Sequence, residues 1–136
     1  MKKSEANDNG NSTVEGATNP SGTGVKLSEE DSGDIITNFL AVNADGNDDY
    51  GFRLEQFGGD DIEADFRQSS AIGNVNRNGI RLESYQTEDG ADLEIYDPID
   101  AVFLDVVATG NGRAGLRVDG SDGDIFPVGG DYRANG

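Results

Sequence analysis

The sequence has no cysteine and no histidine. Their absence removes disulfides, thiolate zinc sites, imidazole bases and Ser-His-Asp triads, although missing cysteine alone assigns no redox compartment. Apolar residues make up only 34% and aromatics 7%, a composition suited to many short strands and turns rather than thick amphipathic helices. No window sustains a helical apolar period, and no apolar run is long enough to cross a membrane as a helix. The start, Met1-Lys2-Lys3-Ser4-Glu5-Ala6-Asn7-Asp8, has two lysines with no apolar run behind them. It is not a signal peptide. Positive charge is scarce as well, with 10 Lys and Arg against 27 Asp and Glu and a net charge of −17. So negative a surface repels nucleic acid and anionic membranes and attracts divalent cations or basic partners. The excess of arginine over lysine, together with the acidity, fits a salt-adapted protein.

Low apolar content with high net charge is also the signature of disorder, so ordered periodicity is the first thing to establish. Residues 1–23 are polar and charged with isolated apolar residues and are expected to form a flexible leader. From residue 24 a repeat begins. Four segments open alike: Gly24-Val25-Lys26-Leu27, Gly51-Phe52-Arg53-Leu54, Gly79-Ile80-Arg81-Leu82 and Gly115-Leu116-Arg117-Val118. A second column agrees independently in Ala44-Asp45-Gly46-Asn47, Ala71-Ile72-Gly73-Asn74 and Ala108-Thr109-Gly110-Asn111, with Ala134-Asn135-Gly136 starting a fourth copy. Phe39, Phe66 and Phe103 form a third. Between these columns stands an Asp-aliphatic pair: Asp34-Ile35, Asp61-Ile62, Asp92-Leu93 and Asp124-Ile125. The rungs are 24–50, 51–78, 79–114 and 115–136.

Each copy holds three short apolar islands bounded by Gly, Asn or Asp, the pattern of three short strands. In the first strand Val25 and Leu27 alternate with Lys26 and Ser28, so one set faces inward and the other outward. A single rung is too thin to bury its own apolar side chains; stacked rungs bury them against their equivalents about 4.8 Å away. Leu27, Leu54, Leu82 and Val118 form an aliphatic stack on this reading, and the three phenylalanines an aromatic one. The corner glycines and asparagines are expected at positive φ. Residues 24–136 thus resemble the right-handed parallel β-helix repeat of pectate-lyase-like proteins. The resemblance implies an all-β solenoid of about four rungs with three short strands per rung, and an extracellular or cell-surface setting. The alternative architecture is an antiparallel sandwich of short strands.

Two regions are candidate sites. The outward column of Lys26, Arg53, Arg81 and Arg117 stacks like charges, which repel unless offset; Glu55, Glu83 and Asp119 lie two residues on and can pair diagonally. The column is either a solvated ladder that pins register or a strip whose guanidinium forks bind uronate carboxylates. The second region is the long third rung, with about nine extra residues between Leu82 and Phe103. Insertions in repeat arrays fall in loops on one face and often build a binding cleft. Here Tyr85 and Tyr96 are candidates to stack on sugar rings, and Asp89, Asp92, Asp97 and Asp100 are candidate Ca²⁺ ligands. Two calcium motifs fail: around Asn43–Asp49 the EF-hand ligand positions fall on Ala41 and Phe52, and Gly58-Gly59-Asp60-Asp61 does not recur every nine residues.

Three functions remain open from sequence. The first is a non-catalytic acidic β-helix scaffold from a secreted or surface protein, contacting polysaccharide or divalent cations. The second is part of a calcium-dependent polysaccharide lyase using Arg81 or Arg117 with carboxylates of the long loop. The third is a ligand-free, salt-adapted repeat spacer. Because the sequence stops inside its fourth rung, further rungs of a longer parent chain or end-to-end self-association are expected to cover the last one.

Overall fold

The computed structural model describes residues 4–5, 22–30, 33–87, 94–121 and 123–136. Among them there is no helix; the strands are β1 (Ser4–Glu5), β2 (Val25–Glu29), β3 (Ile35–Leu40), β4 (Val42–Asn43), β5 (Phe52–Gln56), β6 (Ile62–Arg67), β7 (Ile80–Thr87), β8 (Glu94–Tyr96), β9 (Ile99–Leu104), β10 (Leu116–Asp119) and β11 (Ile125–Val128). Two parallel sheets carry the architecture. One has the order β10-β7-β5-β2, with β8 antiparallel off β7; the other has the order β11-β9-β6-β3. Neither closes into a barrel.

The register follows the repeat. Leu27 pairs with Leu54, Leu54 with Leu82, and Val118 with Leu82. In the second sheet Phe39 pairs with Phe66 and Phe66 with Phe103. Their rings stack, with centroids 4.8 Å and 5.0 Å apart, and Phe52 meets Phe66 edge-on at 5.3 Å. Alternation fixes what is buried: in β6, Ile62, Ala64 and Phe66 point into the core while Glu63 and Arg67 are exposed. The core is best filled in the middle rungs, where Leu54 and Leu82 are fully buried; Leu27, expected inward with them, is 37% exposed because β2 is an edge strand.

Four sequence expectations need correction. The third strand of each rung shrinks to the two-residue β4 and single parallel bridges, Asn43 to Ser70, Ser70 to Val107 and Val107 to Asp131. At the Ala-x-Gly-Asn corners the glycine, not the asparagine, takes positive φ (Gly46 at 68°, Gly73 at 66°, Gly110 at 65°), and Ala41, Gln68 and Asp105 take it (54°, 50° and 52°) directly after β3, β6 and β9. Asn47, Asn74 and Asn111 instead form a buried ladder, Asn47 Nδ2 donating to Asn74 Oδ1 at 2.9 Å and Asn74 Nδ2 to Asn111 Oδ1 at 2.8 Å. The fourth corner is shifted by two residues: Asn111 Nδ2 donates to Asn135 Oδ1 at 2.9 Å, and Ala134, not a glycine, takes the positive φ of 54°. The Asp-aliphatic column also breaks. Ile62 pairs with Ile99 rather than Leu93, and Ile125 pairs with Ala101.

The glycines that open the second, third and fourth repeats, Gly51, Gly79 and Gly115, serve close approach, not positive φ. A Cβ on Gly51 would lie 2.7 Å from the carbonyl oxygens of both Ala44 and Gly79, so the chain passes too near its neighbours to admit a side chain. Toward the N-terminus, Ser4–Glu5 runs parallel to Val42–Asn43, and Asp49 donates its backbone N–H to the Gly22 carbonyl at 3.1 Å. The rest of residues 1–21 lies outside the described residues.

Candidate functional site

The outer face of the first sheet brings the basic column together as expected. Lys26 pairs with Arg53, Arg53 with Arg81 and Arg117 with Arg81 in register. Every member has a carboxylate. Glu55 takes Lys26 at 3.1 Å and Arg53 at closer range; Arg81 reaches Glu83 at 2.6 Å and Asp119 at 3.3 Å; Arg117 reaches Asp119 at 2.8 Å. Glu55, expected to face solvent, is only 2% exposed, because the two cations close over it. Tyr50 completes the cluster, a residue that no repeat column announced. Its ring lies 5.0 Å under the Arg53 guanidinium, and its hydroxyl accepts a hydrogen bond from Arg81 at 3.1 Å. Burial works against the Arg81 charge, yet the Tyr50 hydroxyl and the carboxylates of Glu83 and Asp119 outweigh it and hold the guanidinium above its ordinary pKa. A group so held does not give up a proton to act as a base.

The described part of the insertion in the long third rung is an antiparallel strand pair. β7 runs on past the sheet and pairs antiparallel with β8, setting Tyr85 directly opposite Tyr96, with ring centroids 6.2 Å apart. Tyr85 also packs edge-on against Phe57 at 5.1 Å, which gives its ring a packing role, while Tyr96 is 42% exposed. Asp89 and Asp92 lie outside the described residues. Asp97 and Asp100 part company: Asp97 is buried beside Asp60 and Asp61, whereas Asp100 faces out from the second sheet. Among the described residues no group of three or more acidic side chains is arranged to hold a metal ion.

Asp97 and Glu83 share an electrostatic signature. Burial pushes the Asp97 carboxyl up, reinforced by Asp61 and Asp60, and one of its oxygens, Oδ2, is buried without a hydrogen-bond partner among the described residues. Burial likewise raises Glu83; Arg81 opposes the shift and Glu55 and Asp119 add to it. A carboxyl whose folded pKa exceeds its unfolded one binds protons more tightly in the folded state. Its contribution to stability therefore falls as pH rises from the ordinary carboxylate range through the raised value. Asp131 runs the other way, held down to about 2 by hydrogen bonds from Arg133, so its share is lost only as pH falls toward that value. Asp97→Asn is expected to raise the urea midpoint at neutral pH by removing a buried, unpaired charge. Toward mildly acidic pH the gain over wild type should shrink. Equal gains at both pH values would rule out ionised Asp97 as the cause.

The outer face of the second sheet has a different character. One column runs Ile36, Glu63, Asp100 in register, and Asp124, which donates its backbone N–H to Asp100 Oδ1 at 2.8 Å, continues it. Beside it Asn38, Asp65, Val102 and Phe126 stack. Asp65 is held by Arg67 at 2.7 Å. Among the described residues Glu63, Asp100 and Asp124 have no ion-pair partner, although they stack like charges as closely as the first sheet does. Between the columns lies an open groove of about 640 Å³ lined in part by Ile36, Val102 and Phe126, which are 70%, 37% and 53% exposed. Sequence reasoning singled out Asp100 but not this face. The signal was present in the strict alternation of β3, β6 and β9, which sends Ile36, Glu63 and Asp100 outward.

No protein-family model matches the chain, and no curated protein or solved structure matches it either.

Proposed function

We propose that residues 24–136 coil as a parallel β-helix of the pectate-lyase-like kind. On this reading they act as a non-catalytic acidic scaffold of a secreted or cell-surface protein, contacting polysaccharide along the outer face of the second sheet. The coil reading is supported by three parallel columns that repeat with one register: the two sheets and the line of bridges from Asn43 to Asp131. The surface setting comes from the resemblance alone. The observation that carries the function is the contrast between the two outer faces. On the first sheet each of Lys26, Arg53, Arg81 and Arg117 is matched by a carboxylate, which suits a ladder that pins register. On the second sheet an open groove joins apolar side chains to carboxylates and the amide of Asn38, the mixture that packs on sugar rings and hydrogen-bonds their hydroxyls.

A lyase requires a basic group free to take a proton from the sugar, and the guanidinium of Arg81 is engaged by Tyr50, Glu83 and Asp119. Incubating the protein with polyuronates and Ca²⁺, and following ultraviolet absorbance of the unsaturated product, tests the point. No product is expected. Product that forms with wild type and disappears with both Arg81→Ala and Arg117→Ala would overturn the non-catalytic reading.

A further inference from the structure

The groove over the second sheet carries more than a general affinity for sugar. Its acidic column places Glu63 and Asp100 on the neighbouring strands β6 and β9, with Asp124 one residue before β11 on the next rung, about 4.8 Å from one to the next. Like charges at that spacing repel, and among the described residues no side-chain cation offsets them. Arg67, the basic residue of the same face, is bound to Asp65 through Nε at 2.9 Å and 2.8 Å. The apolar residues do not form a separate patch; Ile36 heads the acidic column, and Val102 and Phe126 stand beside it. A fitting ligand therefore repeats along one line, alternates cationic groups with apolar faces, and lies in a groove open to solvent.

We infer that this groove binds a linear amino-sugar polymer with free ammonium groups, each sugar unit spanning about one rung. The inference rests on the polysaccharide reading of the groove and narrows it to one class. Ammonium groups meet the carboxylates of Glu63, Asp100 and Asp124, and the ring faces rest on Phe126, Val102 and Ile36. Asn38 lines the same groove and offers its amide to ring hydroxyls. A polyuronate, carrying carboxylates of its own, is repelled from this face.

The test is calorimetric titration of the full chain, at low salt and mildly acidic pH, with four oligomers of equal length: glucosamine, N-acetylglucosamine, galacturonate and lysine. The glucosamine oligomer is expected to bind about tenfold tighter than its acetylated form, as summed exposed ion pairs allow, and to weaken as salt is added. Galacturonate should not bind. Glu63→Gln removes one charge from an exposed side chain and should weaken glucosamine binding about two- to fivefold. Phe126→Ala should weaken glucosamine more than lysine. Acetylated and free-amine forms binding alike would overturn the ammonium requirement while leaving the polysaccharide reading in place. Lysine binding as tightly as glucosamine, with Phe126→Ala without effect, would overturn the sugar in favour of bare charge. If no sugar oligomer binds, both readings fall.

Discussion

Asn74→Ala is expected to destabilise the protein by about 2–5 kcal/mol, at roughly 1–3 kcal/mol for each buried donor left without an acceptor. Asn74 Oδ1 accepts from the Asn47 backbone N–H at 3.0 Å and from Asn47 Nδ2 at 2.9 Å, and both atoms lie where water does not reach. Alanine takes that acceptor away and also strips Asn111 Oδ1 of the Nδ2 donor at 2.8 Å. Because each rung contacts only its neighbours, the defect weakens coupling of the second rung to the first, through Asn47, and to the third, through Asn111. Urea unfolding is therefore expected to show a lower midpoint and a broader transition. Asn76, two residues on and exposed, provides the comparison: Asn76→Ala should change stability by less than about 0.5 kcal/mol. Equal effects at the two sites would remove the ladder from the account of stability.

Phe66→Ala is expected to be as severe or worse, about 3–5 kcal/mol. Phe66 is fully buried and touches three rings: Phe39 at 4.8 Å, Phe103 at 5.0 Å and Phe52 at 5.3 Å. Truncation opens a cavity at the centre of the stack. The parallel sheets on either side are held by backbone ladders and close over it only in part. Phe66→Leu keeps most of the volume and should cost less than half as much. Melting temperatures of the two variants check the order. If leucine proves as damaging as alanine, ring stacking rather than volume dominates the site.

How much of this was legible in the sequence depends on whether a column repeats its residue type. Leu54 with Leu82, and Phe39 with Phe66 and Phe103, could be aligned by eye because inward positions keep one chemistry from rung to rung. Arg53, Arg81 and Arg117 were legible for the same reason, as were the carboxylates that neutralise them. The asparagine column was visible too, but spacing does not tell a corner from a buried ladder. The groove was hidden because its column changes identity, from Ile36 to Glu63 to Asp100 to Asp124. Its register also depends on where the third-rung insertion falls. Aligning Asp92-Leu93 with Asp61-Ile62 separates Asp100 from Glu63; the observed pairing of Ile62 with Ile99 brings them together. Tyr50 was missed because the equivalent positions are Asn78 and Ala114, so no column marked it.

The central claim is that ligand recognition belongs to the second sheet's outer face, where Glu63, Asp100 and Asp124 have no ion-pair partner among the described residues, and not to the arginine column of the first. Backbone amide shifts recorded while a glucosamine oligomer is titrated into the isotopically labelled protein test it most directly. The account predicts shifts clustered at Ile36, Glu63, Asp100, Val102 and Phe126, with Arg53, Arg81 and Arg117 undisturbed. Shifts centred on those three arginines, with the groove silent, would contradict it.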